Sequence, residues 1–404
     1  MQDSLAFSAT PIRCVTISNP NNSMRGERRT AVSAPLNQMQ VKSFGASMPD
    51  VPPILPCDAQ TAVDWHDFSQ TLNPLGTPDS FVAAMHVISM NGMNGDSAQA
   101  IVELPGLLAK RYGVSPDNIA VGTTPTEVLA AVASAFPQTR VAVPLPTRNS
   151  HVSTFETAGH TVVPVKNPDG YVTPERHTGP TKEIAFNAAV LSNPGFPTSR
   201  LLPRHTLRSY LQTCDWVVVD ERGIDLTLGG ESVVPMIATY PNLIVIQSFT
   251  DIYSLPGLPL SCAIASPRAV DSIASHLSGP ASPLLANALA RLSLESGEQL
   301  DKTRELLETE IPWLQCMLSL VPGMVIYPAE ANFVMCSYSP SASMSLGAAD
   351  QAELVRKLQA RGFLVRTLDH TPGIERNTRM CISVRKRAEN EKLVAALRGI
   401  VSHS

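Results

Sequence analysis

Between residues 118 and 247 the chain sets down short apolar runs at intervals filled by amphipathic stretches, and this rhythm constrains the fold more than any other feature. The runs occupy 118–122, 140–144, 161–165, 183–186 continuing into 188–191, 216–220 and 243–247. Each is four to six residues long, rich in β-branched side chains and bounded by Gly, Pro, Asn or Asp. Strands apolar on both faces belong in a parallel sheet covered by helices on each side. Residues 98–112 and 125–136 read as two of those helices.

After residue 280 the rhythm changes. A long amphipathic helix is expected from 284 to about 310. A smaller α+β segment follows, with strands at 323–327, 332–336, 363–366 and 380–384 and helices at 350–361 and 388–401. The expected organisation is a weakly ordered extension over 1–58, a large domain over 59–282, and a long helix with a small C-terminal domain over 283–404. The extension is rich in Ser, Thr, Asn and Pro and shows little periodicity, as in a segment unable to bury a core. Its recurring arginines (Arg13, Arg25, Arg28, Arg29) and scarce acids leave an organelle transit peptide as a minor alternative.

Charge and cysteine usage exclude several function classes. The 31 basic against 35 acidic residues give a net charge of −4, and the basic ones form no long run that would track a phosphate backbone, so neither nucleic acid nor a membrane surface is expected as partner. The seven cysteines are odd in number, scattered, and free of CxxC pairs or metal-like spacing with histidine, as in reduced thiols. No stretch approaches the roughly 18 apolar residues that span a bilayer. A cytoplasmic location is the expectation.

Several motifs then appear in one order. Residues 64–76 read DWHDFSQTLNPLG, 192–203 read SNPGFPTSRLLP, 217–221 read VVVDE, 248–261 read SFTDIYSLPGLPLS and 331–333 read ANF. Near the end, Arg366 through Leu393 contains Pro372–Gly373 and Glu389–Asn390. This series resembles the threonine-phosphate decarboxylases of the histidinol-phosphate aminotransferase group, within the class I/II aminotransferase superfamily, from about residue 60 to the C-terminus. The resemblance implies a fold-type-I α/β architecture, with a large domain built on a mainly parallel seven-stranded-type sheet flanked by helices and a smaller C-terminal α+β domain. It implies pyridoxal phosphate as cofactor, and a homodimer, or a heterodimer with a related catalytic subunit.

In that family a lysine forms the Schiff base, a strand-end aspartate pairs with the pyridinium nitrogen, and hydroxyls, backbone amides and an arginine hold the phosphate. Here the lysine position is Asp251. The phosphate-loop arginine is Pro259, the cofactor-contacting asparagine is Phe196, the substrate-carboxylate arginine is Cys381, and Pro125 interrupts the phosphate-binding turn, where it can donate no N–H. Arg148 and His151 stand where aromatics are expected. The cofactor-binding candidates that remain are Asp220, Ser248, Thr250, Thr124, His151 and Asn193, with Tyr253 also retained. Arg379 and Arg148 are candidates for substrate, and Asp251 for the catalytic position.

Each of these has a plainer reading. A strand-end aspartate can cap a loop, Ser248 and Thr250 can hold a turn, Asp251 can start a helix, and a lone histidine is most often structural. A carboxylate forms no imine, and beside Asp220 it adds negative charge where the phosphate is already anionic. The expectation is therefore a degenerate homologue that binds pyridoxal phosphate without a covalent link, or not at all, and serves as a structural or regulatory partner. One alternative is a lysine-independent enzyme that has repurposed the cleft for a small amino-acid-like or phosphorylated ligand. A conventional aminotransferase or decarboxylase is the remaining one.

Overall fold

The apolar runs form strands because the sheet they enter is buried on both faces. The computed structural model describes residues 65–90, 97–166, 186–280, 282–340 and 348–402. The expected extension over 1–58 and the first part of the run at 183–186 lie outside the described residues. The strands are β1 (His66–Phe68), β2 (Ile119–Gly122), β3 (Arg140–Leu145), β4 (Thr161–Lys166), β5 (Ala188–Ser192), β6 (Trp216–Asp220), β7 (Leu243–Ser248), β8 (Ser261–Ile264), β9 (Met324–Ile326), β10 (Phe333–Tyr338), β11 (Phe363–Thr367) and β12 (Met380–Ser383). The helices are α1 (Asp79–Met90), α2 (Ser97–Tyr112), α3 (Pro125–Ala135), α4 (Asn149–Thr157), α5 (Arg204–Thr213), α6 (Pro267–Ala274), α7 (Pro283–Glu295), α8 (Gly297–Ser319), α9 (Ala348–Gln359) and α10 (Arg387–Val401).

The larger sheet has seven strands in the order β2-β8-β7-β6-β5-β3-β4. All run parallel except β8, which is antiparallel to both β2 and β7. Alternate side chains of each strand enter different cores, as the two-residue repeat requires. Val217, Val219 and Val245 pack with Leu104 and Leu108 of α2, Leu207 and Tyr210 of α5 and Leu289 of α7. Their neighbours Val218, Ile244 and Ile246 pack on the other face with Val128 and Leu129 of α3, Phe155 of α4 and Ile273 of α6.

The smaller sheet has five strands in the order β1-β11-β12-β10-β9, antiparallel except for the β1–β11 pair. Leu307, Ile311 and Leu314 of α8, Leu354 and Leu358 of α9 and Leu393 and Leu397 of α10 cover it. No pattern along the chain announces β1. At three residues it is too short to show alternation, yet it crosses from the N-terminal side of the chain to pair in parallel with β11, and Phe68 meets Phe363 with ring centres 6.4 Å apart.

The long helix expected from 284 to about 310 is two helices, and this corrects the sequence reading. α7 ends at Glu295, Ser296 leaves the helical region (φ −87°, ψ 17°), and α8 starts at Gly297 and runs on to Ser319 with Pro312 inside it. The break is held by tertiary contact, since the Tyr253 hydroxyl lies 2.6 Å from Ser296 Oγ in the core. Periodicity cannot register a one-residue break that keeps both apolar faces directed inward. Among the described residues no helix is long and apolar enough to cross a membrane.

Candidate functional site

Parallel strands end on the same side of a sheet, and ligands of open α/β folds bind along that edge. Here the register sets Ser192 of β5 beside Asp220 of β6, and Asp220 beside Ile246 of β7. Asn193, Glu221 and Ser248 follow at the strand ends, and Asn193 N donates to Asp220 O at 2.8 Å. The sequence candidates Asp220, Asn193 and Ser248 therefore share one edge.

Asp220 is fully buried. Its Oδ1 accepts the Arg222 backbone N–H at 3.1 Å and Arg222 Nε at 3.0 Å. Its Oδ2 accepts Arg222 Nε at 2.8 Å and lies 2.8 Å from His151 Nε2. Arg222 Nη2 completes the ion pair, 2.6 Å from Oδ2. Three N–H groups, the Arg222 amide, Arg222 Nε shared between both oxygens and His151 Nε2, thus occupy most of the roughly four lone-pair positions of the carboxylate. Burial alone would raise this carboxyl, but the Arg222 guanidinium and His151 outweigh burial and hold it well below the usual carboxylate range.

His151, from the first turn of α4, is equally buried. Burial lowers its pKa against the opposing pull of Asp220, so the ring is neutral at pH 7. With Nε2–H donating to Asp220, Nδ1 is left as the acceptor for the Thr147 hydroxyl 2.8 Å away.

A second cationic group lies alongside. The guanidinium carbon of Arg148 sits 4.2 Å from the Phe196 ring centre, and that of Arg366 sits 5.4 Å from the same ring. Arg366 Nε donates to Ser69 O at 2.8 Å, but Arg148 Nε is buried with no acceptor, and Arg148 makes no ion pair among the described residues. Burial first, then the neighbouring Arg222, pushes the Arg148 pKa down to about 10, which still leaves a cation at pH 7. Phe196 itself packs against Phe333, Leu368 and Cys381.

Asp251 follows β7. Its backbone carbonyl accepts Asn73 N–H at 2.9 Å, and its carboxylate accepts the Thr71 hydroxyl at 3.4 Å. Thr250 Oγ1 is buried and has no partner among the described residues, and Ser248 Oγ accepts Thr250 N–H at 3.4 Å.

The remaining candidates are engaged elsewhere. Thr124 is the N-cap of α3, its hydroxyl accepting Glu127 N–H at 3.1 Å. Asn193 joins Glu221 through Nδ2 at 3.2 Å and Leu202 N–H through Oδ1 at 3.0 Å. Arg379 faces Tyr327, with Nε 3.2 Å from the hydroxyl and the guanidinium over the ring. Arg366, and not Arg379, is the late arginine that meets Phe196.

The sequence reading missed Arg222 and Glu221. Arg222 directly follows the VVVDE run at 217–221, and its meaning depended on where the side chain turned. Glu221 is fully buried, and its carboxylate receives Val233 N–H at 2.8 Å, Gln247 Nε2 at 2.7 Å, Ser232 Oγ at 2.5 Å and Asn193 Nδ2. Burial pushes it up to about 7 despite those donors.

With this geometry in place, comparison with known proteins is informative. The sequence profile described as aminotransferase class I and II matches residues 67–397. A histidinol-phosphate aminotransferase of Archaeoglobus fulgidus is 27% identical over 298 residues, covering 72% of this chain and 81% of that protein. The crystal structure of an L-threonine-O-3-phosphate decarboxylase from Porphyromonas gingivalis superposes with a TM-score of 0.70 at 21% identity, over 83% of this chain and 99% of that one. A histidinol-phosphate aminotransferase from Sinorhizobium meliloti, solved with pyridoxal 5'-phosphate, also gives 0.70, at 18% identity over 83% of this chain and 91% of that one. At these identities the two structures establish the fold: the seven-stranded and five-stranded sheets are those of a fold-type-I aminotransferase.

Proposed function

The chain belongs to the class I and II aminotransferase family, a pyridoxal-phosphate-dependent family, and on that premise we propose that it is a degenerate member without aldimine chemistry, acting as a structural or regulatory partner subunit. The observation that carries this reading is Asp251 at the position of the Schiff-base lysine. A carboxylate cannot condense with an aldehyde. The sequence holds no lysine between Lys182 and Lys302, and Lys110, Lys302, Lys386 and Lys392 are all exposed.

The residues present do not fit pyridoxal phosphate. Asp220, which would receive the ring nitrogen, is already engaged on both oxygens by Arg222 and His151. Arg148 stacks on Phe196 where the family carries an aromatic and an asparagine. Pro125 at the start of α3 has no N–H to offer a phosphate, and Pro259 replaces an arginine. Each lost charged hydrogen bond forfeits about 1.5–3 kcal/mol of cofactor binding.

The partner in this reading is a second copy of the chain or a related catalytic subunit, in the cytoplasm. Mixing the purified protein with pyridoxal phosphate, reducing with borohydride and recording the mass and visible spectrum tests the central claim. No adduct is expected, and a yellow, borohydride-reducible protein would overturn it. Co-purification under native conditions then identifies the subunit that travels with it.

A second reading is favoured by the unpaired Arg148 Nε beside Phe196. The cleft would hold the anionic group of a small amino-acid-like or phosphorylated ligand, with Asp251, Asp220 and His151 nearby. A saturable rise in melting temperature with inorganic phosphate at constant ionic strength, lost in Arg148→Gln, distinguishes it from a purely structural role.

A further inference from the structure

We propose that Thr147, His151 and Asp220 form a catalytic triad that hydrolyses a short-chain acyl ester, with Thr147 as nucleophile, His151 as general base and Asp220 as the group that orients the base. This goes beyond the partner-subunit role and rests on the reading above that the cleft runs no aldimine chemistry, since no cofactor ring then competes for Asp220.

A hydroxyl becomes a nucleophile when a base lies within hydrogen-bond reach and a third group holds that base in position. Both spacings are met here. Thr147 Oγ1 lies 2.8 Å from His151 Nδ1, and His151 Nε2 lies 2.8 Å from Asp220 Oδ2. Asp220 takes the Nε2–H, so the lone pair of Nδ1 is the one that meets the Thr147 hydroxyl. The ring is neutral at pH 7, the state a general base requires. Arg222 keeps Asp220 ionised, and all three members are buried, so water does not compete for the two hydrogen bonds.

The chain around Thr147 supplies the other parts. β3 ends at Leu145 and α4 begins at Asn149, so Thr147 stands in a strand-to-helix turn at the ligand-binding edge of the parallel sheet. No side chain caps α4, which leaves its first amides available to an oxyanion formed beside Thr147. Arg148, the next residue, adds a buried Nε with no acceptor among the described residues. Thr147 is 4% exposed, and its N–H donates to Pro372 O at 3.2 Å, so the Pro372–Gly373 turn lies over it. That cover sets the substrate class, because only a short acyl group can reach the hydroxyl.

The reaction balances with water as the one co-reactant. Oγ1 bonds to the acyl carbon as its proton passes to His151 Nδ1, and the carbonyl electron pair moves onto oxygen. Asp220, still bound to Nε2–H, offsets the charge of the imidazolium. When the pair returns, the bond to the leaving oxygen breaks and that oxygen takes the proton from Nδ1. Water then attacks acyl-Thr147 in the same way, its proton passing through Nδ1 to the departing Oγ1. Ester and water become acid and alcohol, with no change of oxidation state.

Two probes on the full chain test this. Nitrophenolate release from p-nitrophenyl acetate is followed for wild type, Thr147→Ser, Thr147→Val and His151→Gln, and a short-chain fluorophosphonate, whose adduct does not turn over, is mapped by peptide mass. The fluorophosphonate is expected to label Thr147 in wild type and the serine in Thr147→Ser. Thr147→Ser should keep the release, whereas Thr147→Val and His151→Gln should each lower it by roughly 10²–10⁴-fold. A hydrogen-bond chain that serves only to satisfy a buried histidine gives neither result. Label only at other residues, or equal release from wild type and Thr147→Val, overturns the proposal, and should Thr147→Val not fold, the position of the label in wild type decides alone. A borohydride-reducible pyridoxal phosphate adduct on wild type would instead overturn the functional reading, so the two failures are separable.

Discussion

His151 Nε2 lies 2.8 Å from Asp220 Oδ2, both residues buried, although they stand 69 positions apart in sequence. The pairing ties α4 to the end of β6, and Arg222 adds the cation that the buried carboxylate needs.

Asp220→Asn at pH 7 leaves the Arg222 guanidinium part-buried and uncompensated, with an expected loss of about 3–5 kcal/mol in urea unfolding. The folded-state pKa of Asp220 is depressed, so its contribution is complete above the unfolded-state titration near pH 4 and drains away as the pH falls below it. The stability gap between wild type and Asp220→Asn should therefore narrow in acid. A gap constant from pH 7 to pH 3 would refute the assignment.

Glu221 has the opposite sign. Its folded pKa stands at about 7, above the ordinary 4.5, so its contribution is present below pH 4.5 and is lost as the pH rises through 7. Between pH 4.5 and 7.5 wild type should lose up to about 3 kcal/mol relative to Glu221→Gln, which does not titrate. Parallel stability profiles for the two proteins would show that the donors from Ser232, Val233, Gln247 and Asn193 keep the carboxylate ionised throughout.

Asp251→Lys tests how far the cleft has departed from its family. In the proposed reading the new amine stands where the family has its lysine, but Asp220 remains engaged by Arg222 and His151 and prolines remain at positions 125 and 259. Single-turnover assays with pyridoxal phosphate and amino-acid donors are expected to give no transamination or decarboxylation. Activity from this one change would mean that the rest of the site is intact.

Arg148→Met addresses a buried cation that makes no ion pair among the described residues. Removing it gives up a stacking contact of about 0.5–2 kcal/mol with Phe196 but relieves the unsatisfied Nε, worth about 1–3 kcal/mol. The variant should melt at or slightly above the wild-type temperature. A loss of several degrees would show that Arg148 is a structural fixture of the cleft and would weaken the ligand-binding reading.

Much of the architecture is written in local sequence. The runs around Val217–Val219 and Ile244–Ile246 are apolar at consecutive positions because both faces of the sheet are covered, and such runs announce a central parallel strand wherever they occur. The motif at 248–261 likewise sets Ser248 at the end of β7, with Thr250 and Asp251 just beyond it. Absence of a lysine from that stretch is a matter of covalent chemistry, legible from residue identities alone.

Orientation and distant pairing were decided only by tertiary structure. Sequence placed Asp220, His151 and Arg148 near one cleft through family spacing, but it could not say that Arg222 turns back onto Asp220 instead of out to solvent, because that choice depends on a buried carboxylate needing a cation. Nor could it join β1 to β11 or break the helix at Ser296, since the partners lie 297 and 43 positions away, respectively. Local patterns report which side chains must be buried. Which charges then neutralise one another follows from where the packed elements bring them.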